Sequence, residues 1–243
     1  MIDYPAVVFD CDSTLSALEG IEELAADHRR EVASLTDAAM RGEVPLDEVY
    51  GLRLALIRPS LAAVDGLVSR YIEGLVPDAA ATVAALRGAG VDVRVISGGL
   101  LPAVSGLARH LGLGPESVAA VPVYFDEAGA YAGFDVAAAP ARAGGKSEVL
   151  RSWKQAGLDG PVLFVGDGAT DLEARDEVSL FVAYSGVVER PAVLAAAPVV
   201  LRSASLAPIL PLALGEAIPA DPAARAVYDR GRQLIDDGWV EWR

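Results

Sequence analysis

The chain has 243 residues, with 20 Lys and Arg against 34 Asp and Glu, giving a formal net charge of −14. Its 53% hydrophobic and 22% charged content supplies a large core and excludes a disordered chain. The acidity excludes a general nucleic-acid binder, because phosphate backbones are held mainly by Lys and Arg.

The two histidines, His28 and His110, lie far apart, which argues against a His-rich zinc site. The longest apolar runs, 192–201 and 206–214, fall short of the roughly 18 to 20 residues of a bilayer span. Pro198, Pro208 and Pro211 interrupt them, so no membrane partner is expected. The first residues lack a basic start followed by an apolar stretch, and the single cysteine, Cys11, has no disulfide mate. Both features suggest a reducing cytoplasm.

In chain order, residues 5–10 form an apolar run ending in an acid, the pattern of a buried parallel strand that reaches the carboxyl edge of its sheet. Residues 19–75 show helical spacing instead, through Ile21, Leu24 and Ala25, then Val49 and Tyr50, then Val64, Leu67, Val68, Tyr71 and Ile72. The expectation is a compact helical insertion. From residue 77 helices and strands alternate: helix 78–88, strand 91–97, helix 102–111, strand 118–124, helix 145–156, strand 161–166, a helix from 169, and strands 179–184 and 198–201. A helix at about 205–215 closes the series. Such alternation predicts an α/β protein with a Rossmann-like parallel sheet. Residues 124–134 read as a β-hairpin around an Asp-Glu-Ala-Gly turn. In the tail 216–243 an amphipathic helix is expected, with Trp239 and Trp242 either docked on the domain or forming a subunit contact.

Four clusters carry chemistry. Asp10-Cys11-Asp12-Ser13-Thr14 follows the first strand, and two acids at a strand end can converge on one site. One carboxylate can attack a phosphoryl group while the other moves a proton. Ser97-Gly98-Gly99, after the second strand, offers a hydroxyl and small-residue amides to phosphate oxygens. Gly144-Gly145-Lys146 opens a helix with one of only two lysines in a chain that otherwise uses arginine. A Walker loop is excluded there, because Pro140 stands where that loop needs glycine and no convincing strand precedes it. Gly166-Asp167-Gly168-Ala169-Thr170-Asp171 places two more acids at a strand end, a donor type that suits magnesium.

Together these residues resemble the haloacid dehalogenase superfamily and, within it, the phosphoserine phosphatase family. The second step is supported by Glu19-Gly20-Ile21-Glu22-Glu23-Leu24-Ala25, Arg53-Leu54-Ala55-Leu56-Ile57 and Tyr131-Ala132-Gly133-Phe134-Asp135. The similarity runs over about residues 5–215. It implies a HAD-like core over 1–16 and 77–215, a small helical cap domain over 17–76 inserted after the first strand, and an extension over 216–243 of open role.

The resemblance further implies that Asp10 is the nucleophile and Asp12 the general acid and base. Mg²⁺ would be held by Asp10, Asp167 and the backbone carbonyl of Asp12, with Asp171 in support. Ser97, Gly98 and Lys146 would bind phosphate. Glu19 and Arg53 would read the ammonium and carboxylate of phosphoserine, with Gly99, Thr170 and Arg190 also on the substrate side and Arg58 a rival to Arg53. A guanidinium fork and a carboxylate suit an amino-acid zwitterion. Cys11 is expected to be a packed residue. The implied enzyme is a monomer or homodimer acting on a small phosphorylated amino acid. The competing possibilities are a phosphatase or phosphotransferase for another small phosphometabolite, and a non-enzymatic phospho-aspartate switch.

Overall fold

A computed structural model describes residues 2–25, 28–40 and 46–243 of the chain. Its first half runs β1 (Ala6–Phe9), α1 (Gly20–Ala25), α2 (Arg29–Met40), α3 (Leu46–Ile57), α4 (Leu61–Glu73), α5 (Ala79–Gly88), β2 (Asp92–Leu100), α6 (Leu101–His110), β3 (Val118–Val121), β4 (Val123–Phe125) and β5 (Tyr131–Phe134). The second half continues with α7 (Gly145–Gln155), β6 (Val162–Gly166), α8 (Ala169–Glu173), β7 (Leu180–Tyr184), α9 (Pro191–Ala196), β8 (Val199–Leu201), α10 (Ile209–Leu214), α11 (Pro222–Asp236) and β9 (Val240–Trp242).

Strand β1 is apolar at every position because both of its faces are covered. Val7 and Phe9 enter the core on one side of the sheet, Ala6 and Val8 the core on the other. The sheet order is β3-β2-β1-β6-β7-β8-β9, with β1 in the interior between β2 and β6 and every pairing parallel except the last. Phe9 is level with Val95 of β2 and with Val165 of β6. β1 and β6 therefore finish nearly together while β2 runs on beside them, and the residues beyond Phe9, Val95 and Val165 meet at one edge, where open parallel sheets place their ligands. Strand β2 extends through the Ser-Gly-Gly segment to Leu100, with a register shift against β3 between Ile96 and Leu100.

Helices α1 to α4 stand between β1 and α5 as the helical insertion the sequence predicts. Its two connections run side by side: the Ala17 amide donates to the Gly74 carbonyl at 2.8 Å and the Val76 amide to the Leu15 carbonyl at 3.0 Å. Helix α4 is started by Ser60, whose hydroxyl accepts from the Ala63 amide. It is set close against α6, where Val68 occupies the room that a side chain at position 106 would need. Strands β4 and β5 form the expected antiparallel hairpin, and its Phe134 packs against Tyr50 of α3 with ring centroids 5.2 Å apart.

In the C-terminal segment the expected helix, α11, is present, and of the two alternatives for its tryptophans the structure does not show docking: Trp239 and Trp242 are 47% and 60% exposed. The tail is held by Val227, Tyr228 and Val240, which enter the core, and by its backbone, as β9 adds antiparallel to β8 at the sheet edge; the Arg202 amide reaches the Trp239 carbonyl and the Arg243 amide the Pro198 carbonyl, each at 2.9 Å. Apolar spacing revealed the helix, but three residues at an edge carry no such signal. Among the described residues no helix is long and apolar enough to cross a membrane.

Candidate active site

The Asp10 amide donates to the Val165 carbonyl at 2.9 Å, continuing the ladder one residue past β1 and bringing its carboxylate to the carboxyl edge of the sheet. The chain then turns sharply: the Cys11 carbonyl accepts from the Leu15 and Ser16 amides, both at 3.0 Å, and Ser13 takes a left-handed φ of 52°. This strained turn sends the Ser13 hydroxyl to Glu19 Oε1 at 2.7 Å. Asp12 faces the insertion, where its Oδ1 accepts from the Tyr71 hydroxyl at 2.6 Å and the Gly20 amide at 2.7 Å. Its Oδ2 accepts from the Ser97 hydroxyl at 3.3 Å. Burial, with Glu19's charge adding, raises the Asp12 carboxyl to about 6 against the opposing effect of those donors. Cys11 is buried, and burial next to Asp12 pushes its thiol well up, as fits a packed residue.

Lys146 reaches the same edge because two glycines open α7 tightly. Gly144 has a left-handed φ of 68°, and a Cβ at position 145 would collide with the Ala139 carbonyl. The buried ammonium lies 2.9 Å from Asp10 Oδ1 and 2.6 Å from Asp171 Oδ1. Burial alone would lower its pKa; the Asp10 and Asp171 charges outweigh that and raise it. Asp171 Oδ2 accepts from the Gly168 amide at 2.9 Å, so both of its oxygens are engaged. Asp167 accepts from Thr14 at 3.3 Å and from Arg190 Nε at 2.8 Å, and Arg190 Nη2 lies 3.2 Å from Glu19 Oε1.

These groups surround a cavity of about 250 Å³. Asp10, Asp12, Glu19, Arg53, Gly98, Gly99, Lys146, Asp167, Thr170, Asp171 and Arg190 all line it. Ser97 does not: it is fully buried behind the wall, with its hydroxyl given to Asp12 and accepting from the Gly99 amide at 2.9 Å. Arg58 instead lies against the hairpin, with its guanidinium over the Tyr131 ring, and is absent from the cavity that Arg53 lines.

The donor set fits a hard divalent cation. Asp10, Asp167 and Asp171 bring carboxylate oxygens within 4.8 Å of one another. Asp10 Oδ1 is buried and, although close to Lys146, accepts no aligned hydrogen bond. Burial pushes the Asp10 carboxyl well up, and the neighbouring Asp171 charge adds to this; Asp167 is raised by the same two causes. An under-satisfied all-oxygen cluster of this kind suits Mg²⁺.

Sequence reasoning did not single out Tyr71, Gly20 or Tyr50 as site residues. Both tyrosines sit on apolar stripes of insertion helices, where spacing reports the ring as core and says nothing of where the hydroxyl goes. Tyr50 is buried and lines the cavity, and among the described residues neither its hydroxyl nor the buried Nε of Arg53 has a hydrogen-bond partner.

An acid pair after an interior parallel strand, a lysine at a helix start and a second acid pair after the neighbouring strand, gathered around one cavity, are the marks of a hydrolase site. The pattern of the haloacid dehalogenase-like hydrolases matches residues 4–175, and the chain belongs to that family. It is 38% identical over 194 residues to the chloroplastic phosphoserine phosphatase of Arabidopsis thaliana, covering 78% of this chain and 66% of the relative. It is 37% identical over 187 residues to the phosphoserine phosphatase of Mus musculus, covering 76% of this chain and 83% of the relative. The crystal structure of a phosphoserine phosphohydrolase-like protein from Francisella tularensis has the same fold, with a TM-score of 0.73 at 24% identity over 82% of this chain and 95% of that one.

Proposed function

We propose that the chain hydrolyses O-phospho-L-serine to L-serine and phosphate through an aspartyl phosphate on Asp10, with Mg²⁺ as cofactor. The observation that carries this reading is the two-ended cavity. Asp10, Lys146 and Asp167 stand at the sheet edge, and Glu19 and Arg53 line the same space from the side of the insertion. One end suits a phosphate. The other suits an ammonium and a carboxylate on the same small molecule.

Asp10, Asp167 and the Asp12 carbonyl, with Asp171 in support, would hold Mg²⁺, which when bound would supply positive charge against the phosphate dianion. Lys146 adds a fixed cation and keeps the Asp10 carboxylate oriented. Asp10 attacks phosphorus in line; the bond from phosphorus to the serine oxygen breaks as Asp12 gives that oxygen its proton. Asp12, now ionised, takes a proton from water, whose oxygen attacks the aspartyl phosphate and frees Asp10 and inorganic phosphate. A carboxyl raised to about 6 is suited to both roles. The insertion acts as a cap over this edge, excluding water from the first step and admitting it to the second. Glu19 pairs with the substrate ammonium: its bonds to Ser13 and Arg190 both fall on Oε1, and Oε2 takes neither. Cys11, a buried thiol, is compatible with work in the reducing cytoplasm.

The test is phosphate release from phosphorylated amino acids, phosphoethanolamine and sugar phosphates, with and without magnesium. Phosphoserine is expected to give the highest kcat/KM and to depend on the metal. Preference for a sugar phosphate would overturn the substrate, and turnover independent of a divalent cation would overturn the cofactor.

A further inference from the structure

Tyr50 presents a problem of hydrogen bonding. The residue is 8% exposed and its hydroxyl is buried without a hydrogen-bond partner among the described residues. Leaving a buried polar atom unpaired is unfavourable, so a site that keeps one has a use for it. The phenol is held firmly, because its ring packs on Phe134 of the hairpin at 5.2 Å.

Arg53 is the second half of the observation. It follows Tyr50 by three residues on α3, a spacing that puts two side chains on one helix face. Both line the cavity that Asp10 and Lys146 line, and Arg53 Nε is also buried without a partner. Two unpartnered donors on one face, one neutral and one cationic, are complementary to an anion with two acceptor oxygens. The sheet-edge end already has Lys146 as its cation.

We propose that the Tyr50 hydroxyl is a specificity-determining donor which, beside Arg53, hydrogen-bonds the carboxylate of the phosphorylated amino acid. This rests on the phosphoserine reading above and deepens it. A phenol is the better second donor here because it adds no charge to a pocket already holding cations, and because a rigid ring loses little freedom on binding. The bond is made to a part of the substrate that does not react, so it contributes to binding rather than to the chemical step.

The experiment compares wild type with Tyr50→Phe, which keeps the ring against Phe134. For phosphoserine, kcat/KM should fall about ten- to a hundredfold through KM, with kcat little changed. For phosphoethanolamine, which lacks the carboxylate, the two proteins should agree within about twofold. Inhibition of p-nitrophenyl phosphate hydrolysis should show the same split, weaker by L-serine and unchanged by inorganic phosphate. An equal loss on both substrates, or no loss on phosphoserine, overturns the proposal for Tyr50 and leaves the phosphatase reading standing. Wild type inert toward phosphoserine overturns both.

Discussion

Tyr71 donates its hydroxyl to Asp12 Oδ1 across 2.6 Å, tying a helix of the insertion to the acid two residues beyond Asp10. The phenol is fully buried, and α4, which carries it, is set close against α6 of the core. Burial, with the Asp12 charge adding, pushes the Tyr71 hydroxyl well up, so it stays a donor at ordinary pH. Asp12 is thus oriented by a side chain 59 residues away in sequence.

Replacing Tyr71 with Phe should lower kcat about tenfold and leave KM nearly unchanged, since the lost bond orients a proton-transfer group and touches no part of the substrate. Rapid-quench measurement of phosphoenzyme formation checks the cause. Phosphoserine, with a poor leaving group, should suffer more than p-nitrophenyl phosphate, whose leaving group needs no proton. Equal losses would mean that the phenol only supports the fold.

Asp10→Asn should abolish phosphate release without loss of folding. The neutral amide keeps the shape of the carboxylate and removes a buried charge from beside Asp171 and Asp167, the neighbours that help raise its pKa. The melting temperature in chelator should be equal to or above that of wild type at about pH 8. Turnover retained at more than about a hundredth of wild type would exclude Asp10 as the nucleophile.

Most of the fold, and the gathering of Asp10, Lys146 and Asp167 at one sheet edge, were legible in the sequence, for a local reason. Asp10 and Asp167 each follow an uninterrupted apolar run, Ser97 follows one broken by Asp92 and Arg94, and in a parallel sheet such runs lie side by side. Lys146 was marked by the two glycines before it. Tyr71 and Asp12 could not be paired that way, because their contact depends on how α4 sits against α6, and no short-range pattern reports helix packing. The same holds for Ser97, whose hydroxyl turns to Asp12 and away from the cavity. Strand β9 escaped notice because an edge strand of three residues is held by backbone bonds rather than by a pattern of side chains.

Metal and pH should be coupled in stability. Asp10, Asp12, Glu19 and Asp167 all titrate above the ordinary carboxylate range in the metal-free fold, burial being the largest cause for each. The native state then holds protons that the unfolded chain has already released. Their stabilising contribution is complete below about pH 4 and is lost as pH rises through the native values, about 6 for Asp12. In chelator, the melting temperature should fall between about pH 5 and about pH 8. Magnesium binds the ionised set, so the rise in melting temperature it causes should be larger at the higher pH. Thermal melts at both pH values, with and without the ion, check this. A magnesium effect of the same size at both would count against a cation on these carboxylates.

Gly20 offers an independent probe of the contact between Tyr71 and Asp12. Its amide donates to the same Asp12 oxygen at 2.7 Å, and a Cβ at that position would collide with the Tyr71 hydroxyl and stand 3.2 Å from Leu67 Cδ2. Gly20→Ala must therefore displace the phenol, at a stability cost of about 1 to 3 kcal/mol for overpacking a buried site. Its kcat should fall at least as far as that of Tyr71→Phe. In the double variant the oxygen that the new methyl meets is gone, so the combined loss should be smaller than the sum of the two single losses. Denaturant melts and kcat values for the four proteins of this cycle supply the comparison. Strictly additive losses would show that the two residues do not meet in solution, and the bond that orients Asp12 would have to be sought elsewhere.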